Sequence, residues 1–154
     1  MSRRLTYAAI GFVVVFAAAQ LVSPDRTNPA TDSSRAIESN PRMAAGLVTV
    51  LDRSCRDCHS NKTVWPWYTR IAPLSWVMGY AVAEGRRAVN FSEWGAYPPE
   101  RQRMLLAASC RDAATTKMPG REWTLLHPEA RLSPQDIETI CAASRQVDVQ
   151  AEGR

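Results

Sequence analysis

The sequence predicts a small all-α domain, and three observations lead there. Four stretches carry apolar residues at helical spacing. A proline or a capping residue stands at the start of each. No stretch alternates apolar and polar residues as a half-buried strand would. The chain has 154 residues, 45% hydrophobic and 22% charged, which is too apolar for a disordered tail and long enough for one domain plus an appendage. Lys and Arg number 19 against 15 Asp and Glu, a net charge of +4 with a pI near 9.1. The basic residues never run longer than the doublets Arg3-Arg4 and Arg86-Arg87. Nucleic-acid binding needs a basic cluster or stripe, so it is not expected.

Residues 1–22 read as an export element. Arg3 and Arg4 precede an apolar stretch from Leu5 to Val22, broken only by Thr6, Gly11 and Gln20. Arginines held on the cytoplasmic side of an apolar helix orient it in the bilayer. The stretch is short for a span and long for a cleaved signal, and Ala17-Ala18-Ala19 suits a cleavage site, so an uncleaved membrane anchor and a signal peptide both stand. Either way the remainder is exported, to the periplasmic side of a bacterial inner membrane, where disulfides are permitted. Residues 23–40 follow as a flexible tether rich in turn formers, among them Pro24, Asp25, Asn28 and Pro29.

A domain is expected over 41–148, with a disordered tail at 149–154. Its first helix starts at Asn40-Pro41, a cap followed by proline at the first helical position, with Met43, Leu47, Val50 and Leu51 on one face. The second follows Pro73, with Leu74, Val77, Met78, Ala81 and Val82 inward and Gly85 as its end. The third runs from Pro99 to about Ala114 and carries Met104, Leu105 and Ala108, with Leu106, Ala107 and Cys110 on an adjacent face. The last opens on Ser133-Pro134-Gln135-Asp136, a cap with an acid three residues on, and turns Ile137, Ile140, Cys141 and Ser144 inward. Four short helices with long Trp- and Pro-rich loops make too little core of their own, so a further component is expected to fill the middle.

Cys55-Arg56-Asp57-Cys58-His59 supplies that component. C-x-x-C-H is the pattern of c-type haem attachment. Two thiols three residues apart can add to the two vinyl groups on one edge of a porphyrin, and the histidine next to the second thiol falls under the iron as proximal ligand. Two other uses of the cysteines weigh less. A zinc site usually brings a second closely spaced pair, whereas Cys110 and Cys141 lie far apart, and a thioredoxin-like motif wants a βαβ unit. For the sixth iron position, Met118 in Lys117-Met118-Pro119 is the first candidate, a soft thioether on a loop stiffened by proline. His127, the only other histidine, is the second, with a hydrogen bond inside a turn as its plainer role. An open position suited to a small gas is the third. Cys110 and Cys141 face inward on two helices, where a disulfide and two buried thiols are both open.

The order Cys55–Asn61, Trp65-Pro66-Trp67-Tyr68, Ile71–Trp76, Glu84–Arg87, Asn90–Trp94, Met118-Pro119 and Leu126–Ser133 resembles the bacterial haem-binding domain family, over more than half the chain. The resemblance implies covalent haem c with His59 as proximal ligand and Met118 as distal ligand. Gly120 and Arg121 depart from the bulkier apolar continuation expected after Met118-Pro119, and Cys110 and Cys141 lie outside the pattern. Trp65, Trp67, Tyr68, Trp76 and Trp94 would pack on the porphyrin, or else form an ordinary aromatic core. Trp67, Tyr68 or Trp76 can donate to a haem propionate, and Arg86 and Arg87 either pair with propionates or end a helix in water. The expected molecule is an exported, cytochrome-c-like, mono-haem electron carrier serving a redox partner protein. It is not expected to be an enzyme, since no nucleophile–base pair or carboxylate pair is visible. A haem-based sensor is the alternative, and a structural zinc domain a remote one.

Overall fold

A computed structural model describes the backbone of residues 2–152 and the side chains through residue 146. It is all-helical, with no strand among the described residues. The α-helices are α1 (Arg3–Ala19), α2 (Ala45–Ser54), α3 (Arg56–His59), α4 (Leu74–Ala88), α5 (Pro99–Ala114), α6 (Arg121–Leu126) and α7 (Pro134–Glu152), with short 3-10 turns between them.

Helix α7 starts where the capping residues place it. The Asp136 amide donates to Ser133 Oγ at 3.1 Å, and the Ser133 amide donates back to Asp136 Oδ2 at 2.8 Å. The two exchanged bonds satisfy donors that a helix start otherwise leaves open. Its expected inward residues Ile140, Cys141 and Ser144 are buried. Helix α5 runs alongside α7, and Cys110 and Cys141 join the two in a disulfide. Leu47, Val50 and Leu51 of α2 pack beside them, and with Phe91, Trp94, Leu106 and Ile140 they make the core. Helical backbone continues to Glu152 where a tail was expected at 149–154; residues 153–154 lie outside the described residues.

Several expectations are corrected. Asn40 does not cap α2, which begins at Ala45; its side chain accepts from the Arg42 amide at 3.0 Å and closes a turn instead, as a short amide side chain can. Gly85 lies inside α4, and the buried face of that helix is Ser75, Gly79, Val82 and Gly85, while Leu74 and Val77 are exposed. Small residues bring α4 close to its neighbours where larger apolar ones would hold it off. Met104 is 68% exposed, so it contributes nothing to the core.

The N-terminal anchor is not found as a span. Helix α1 ends at Ala19, and no helix among the described residues is long and apolar enough to cross a membrane. Seventeen residues rise about 25 Å, short of the ~30 Å of bilayer hydrocarbon. Gln20 ends the helix. Its Nε2 donates to the Phe16 carbonyl and its Oε1 accepts from the Ala72 amide at 2.9 Å.

Of the tether expected over 23–40, the first part is not loose: residues 20–30 lie as a strap along the domain. Trp76 Nε1 donates to the Val22 carbonyl (2.7 Å), Arg26 to the Thr69 carbonyl (3.1 Å), Arg86 to the Thr27 carbonyl (3.0 Å) and Asn28 to the Thr63 carbonyl (2.9 Å). Pro24 lies against Gly79, where a β-carbon would meet it at 2.6 Å.

Candidate haem site

Helix α2 delivers Cys55 at its end, and one turn, α3, carries the rest of the motif. The Cys55 amide donates to the Leu51 carbonyl at 2.9 Å and the His59 amide to the Cys55 carbonyl at 3.0 Å. Residues three and four apart on a helical turn share a face, so Cys55, Cys58 and His59 point to one side. The residues between them do structural work. Arg56 pairs with Asp52 at 3.0 Å, and Asp57 accepts from the Val64 amide at 3.0 Å, which pins the chain beyond the motif. Helix α4 presses on α3 at Gly85, where a β-carbon would stand 2.3 Å from the Cys58 carbonyl oxygen.

His59 is held with one ring nitrogen engaged and the other unengaged. Its Nδ1 lies 3.3 Å from the Val89 carbonyl oxygen, which keeps the proton on Nδ1 and leaves the Nε2 lone pair free. Burial holds the imidazole below its ordinary pKa, against the opposing pull of the Val89 and Gly85 carbonyls and of Asp112. A neutral imidazole is the form that binds a metal. Burial pushes the Cys55 thiol up to about 12 and the Cys58 thiol up to about 11, with the negative charge each would feel from Cys58 or Asp57 adding to it. Both cysteines are free thiols. Uncharged buried thiols are poor zinc ligands and poor disulfide-exchange nucleophiles. Among the described residues no group of three His, Cys, Asp or Glu side chains could hold a metal ion.

Met118 reaches the same place from α5. That helix closes with the Lys117 and Met118 amides both donating to the Asp112 carbonyl, at 2.9 and 3.1 Å, across Thr116 at φ 55°. A left-handed residue there turns the chain back over the helix end. Met118 lines three adjoining cavities. The largest, about 270 Å³, is walled by Leu51, Val89, Phe91 and Leu105 and also touches Cys55 and His59. A smaller one of about 60 Å³ touches Cys55, Cys58, His59 and Trp123. A third, of about 240 Å³, is lined by Arg121, Arg131 and Leu132. Largely apolar cavities that two thiols, an imidazole with one ring nitrogen unengaged and a thioether line together fit a haem.

The other expected site residues have other partners. Arg86 is engaged four times, donating to the Ser60 carbonyl (2.8 Å), the Thr27 carbonyl, Asn28 Oδ1 (2.7 Å) and Thr63 Oγ1 (2.8 Å), so it ties the strap to the loop after the motif and spends four of its five N–H donors there. Arg87 pairs with Glu84. Trp76 spends its N–H on the strap, and Trp67 is 75% exposed. Neither tryptophan lines the three cavities. The Tyr68 hydroxyl lies 2.5 Å from His127 Nε2, and His127 Nδ1 lies 3.1 Å from Glu129. Both ring nitrogens of His127 are therefore taken, which leaves it no ligand atom in this arrangement.

Three residues not expected as site residues shape the site. Phe91 lies 6.0 Å from the His59 ring, Gly85 admits α4, and Trp123 stacks on His127 at 3.7 Å and faces the cavity beside Met118. Gly85 and Phe91 lie in the Glu84–Arg87 and Asn90–Trp94 stretches that carry the family resemblance, and the trace of Trp123 is its i, i+4 spacing to His127.

A family model described as a haem-binding domain matches residues 14–146. No curated protein sequence and no solved structure matches the chain.

Proposed function

We propose, from the premise that the chain belongs to the haem-binding domain family, that it carries one haem covalently through Cys55 and Cys58 and passes single electrons. His59 is its proximal ligand and Met118 its distal one. The observation that carries this reading is the His59 imidazole, oriented by Val89 with Nε2 free, in cavities that Met118 also lines. The haem supplies an iron that cycles between ferric and ferrous. The protein's part is to hold two ligands rigidly, so that little reorganises when the charge changes, and to keep water out with Leu51, Val89 and Phe91. That suits a carrier serving a redox partner protein better than an enzyme.

The same reading places the domain outside the cytoplasm, on the periplasmic side. Its supports are the arginine-led apolar helix α1 and the Cys110–Cys141 disulfide, which an oxidising compartment permits. Helix α1 then acts as the export element.

Spectra of the full chain, made with haem-attachment machinery, test the reading. A pyridine haemochrome of c type is expected. The far-red methionine–iron band of the oxidised form should be present, and should be absent in Met118→Ala. No covalent haem would sink the proposal. One observation favours a second reading, a ligand-binding sensor: Met118 is 44% exposed on a loop and open to displacement. Carbon monoxide binding to the ferrous protein at low concentration would select the sensor over the carrier.

A further inference from the structure

A haem brings two carboxylates into a chain whose expected partner for them, Arg86, is held by the strap and the loop after the motif through four of its five N–H donors. Cations line the three cavities at four places. Arg53, beside the cysteines, is paired with Asp136 at 2.7 Å, and Lys117 is paired with Asp112 at 3.5 Å. Arg121 and Arg131 have no ion pair and no side-chain hydrogen bond among the described residues. Both line the cavity of about 240 Å³, which Met118 also lines and neither motif cysteine does. They come from separate segments, Arg121 at the start of α6 and Arg131 just past the 3-10 turn Pro128–Ala130. Between them the cavity wall is Leu132, Ile137, Ala113 and Pro119, with Thr116 and Thr124 as the other polar members.

Two unpaired guanidinium groups facing an otherwise mainly apolar cavity make a site for carboxylates, because each presents a planar fork of donors that matches a carboxylate's two oxygens. We propose that Arg121 and Arg131 hold the two propionates of the haem. The inference rests on the haem reading above and fixes the cofactor's direction. The thioether edge lies at α3 and the carboxylate edge at the turn from α6 to Arg131. Arg121 also occupies one of the positions where the sequence departs from its family's pattern after Met118-Pro119, and a carboxylate partner gives that departure a use.

Haem and its dimethyl ester separate this role from general packing, since the ester keeps the ring and loses both charges. Ferric haem and the ester are each titrated into the haem-free full chain carrying Cys55→Ala and Cys58→Ala, with and without Arg121→Gln and Arg131→Gln. The arginine protein should bind haem more tightly than the ester. Each glutamine should weaken haem by about fivefold, in keeping with exposed ion pairs, and leave the ester unchanged. Equal weakening of both ligands, or of neither, overturns the proposal. Where the alanine variant binds neither, resonance Raman spectra of the covalent holoprotein decide. Propionate bands that shift in Arg121→Gln/Arg131→Gln support the clamp, and unmoved bands overturn it. A wild-type chain that takes up no haem at all would instead overturn the haem reading itself.

Discussion

Cys55 and Cys58 show how one environment sets the chemistry of a side chain. Partly buried beside other potential negative charge, their thiols are pushed up to about 12 and about 11. In the haem-free protein at pH 8.5, alkylation by iodoacetamide should run about a hundredfold slower at Cys58 and about a thousandfold slower at Cys55 than for an ordinary thiol, and recover in denaturant. Mass spectrometry of the alkylated chain reads this directly. The sign of the linked stability effect follows. A folded-state pKa raised above the unfolded value of 9.0 keeps the proton in the native state, so its stabilisation is complete below pH 9 and is lost as pH rises from 9 towards 11–12. Urea midpoints of the haem-free protein should fall across that window and hold steady between pH 7 and 8.5. His59 complements the thiols, since its Val89 hydrogen bond decides which nitrogen faces the cavity.

Among the elements, α4 matters most to the site because of what it lacks. Gly85 leaves room for the Cys58 carbonyl at a distance no side chain tolerates. Gly85→Ala should cost about 1–3 kcal/mol through overpacking and should lower the yield of covalent haem, as α3 is pushed off its place. A urea titration with a haem-stained gel checks both. Gly11 is the control. Its β-carbon position meets nothing within 4 Å, so Gly11→Ala should leave the domain's stability unchanged. The strap is the other element whose role packing alone decides. Its polar residues are turn formers in the sequence, and only the carbonyls of Thr63 and Thr69 and the guanidinium of Arg86 turn them into a fixed segment.

The whole molecule is held at its far side by Cys110–Cys141, which closes a loop of 31 residues between α5 and α7. Reduction should cost about 3–4 kcal/mol on the chain-entropy account, and thermal unfolding with and without a thiol reductant measures it. A loss well under 1 kcal/mol would mean that the α5–α7 packing persists in the unfolded ensemble. Helix α1 stands apart from this core, with no buried residue, which is why its apolar length made no statement about the domain's fold.

Much of this protein was legible in its sequence. Helical periodicity located α4, α5 and α7, because amphipathic spacing and caps act over a few residues and need no partner. The C-x-x-C-H motif was legible for the same reason, since one helical turn contains all three groups. Met118 stood out as a thioether before a proline, though its loop is placed by Asp112, which local spacing cannot reveal. The partners of Arg86, Trp76 and His127 were decided by the tertiary structure alone. Each lies within hydrogen-bonding reach of residues 23 to 59 positions away in the chain, and contacts at that range leave no local pattern. The length of α1 and the inward face of α4 were decided in the same way: the strap ends the one at Gln20, and close approach to Cys58 and Pro24 selects small residues on the other. Short-range propensity and covalent chemistry are written along the chain, whereas hydrogen-bond partners and close approaches exist only once distant segments have met.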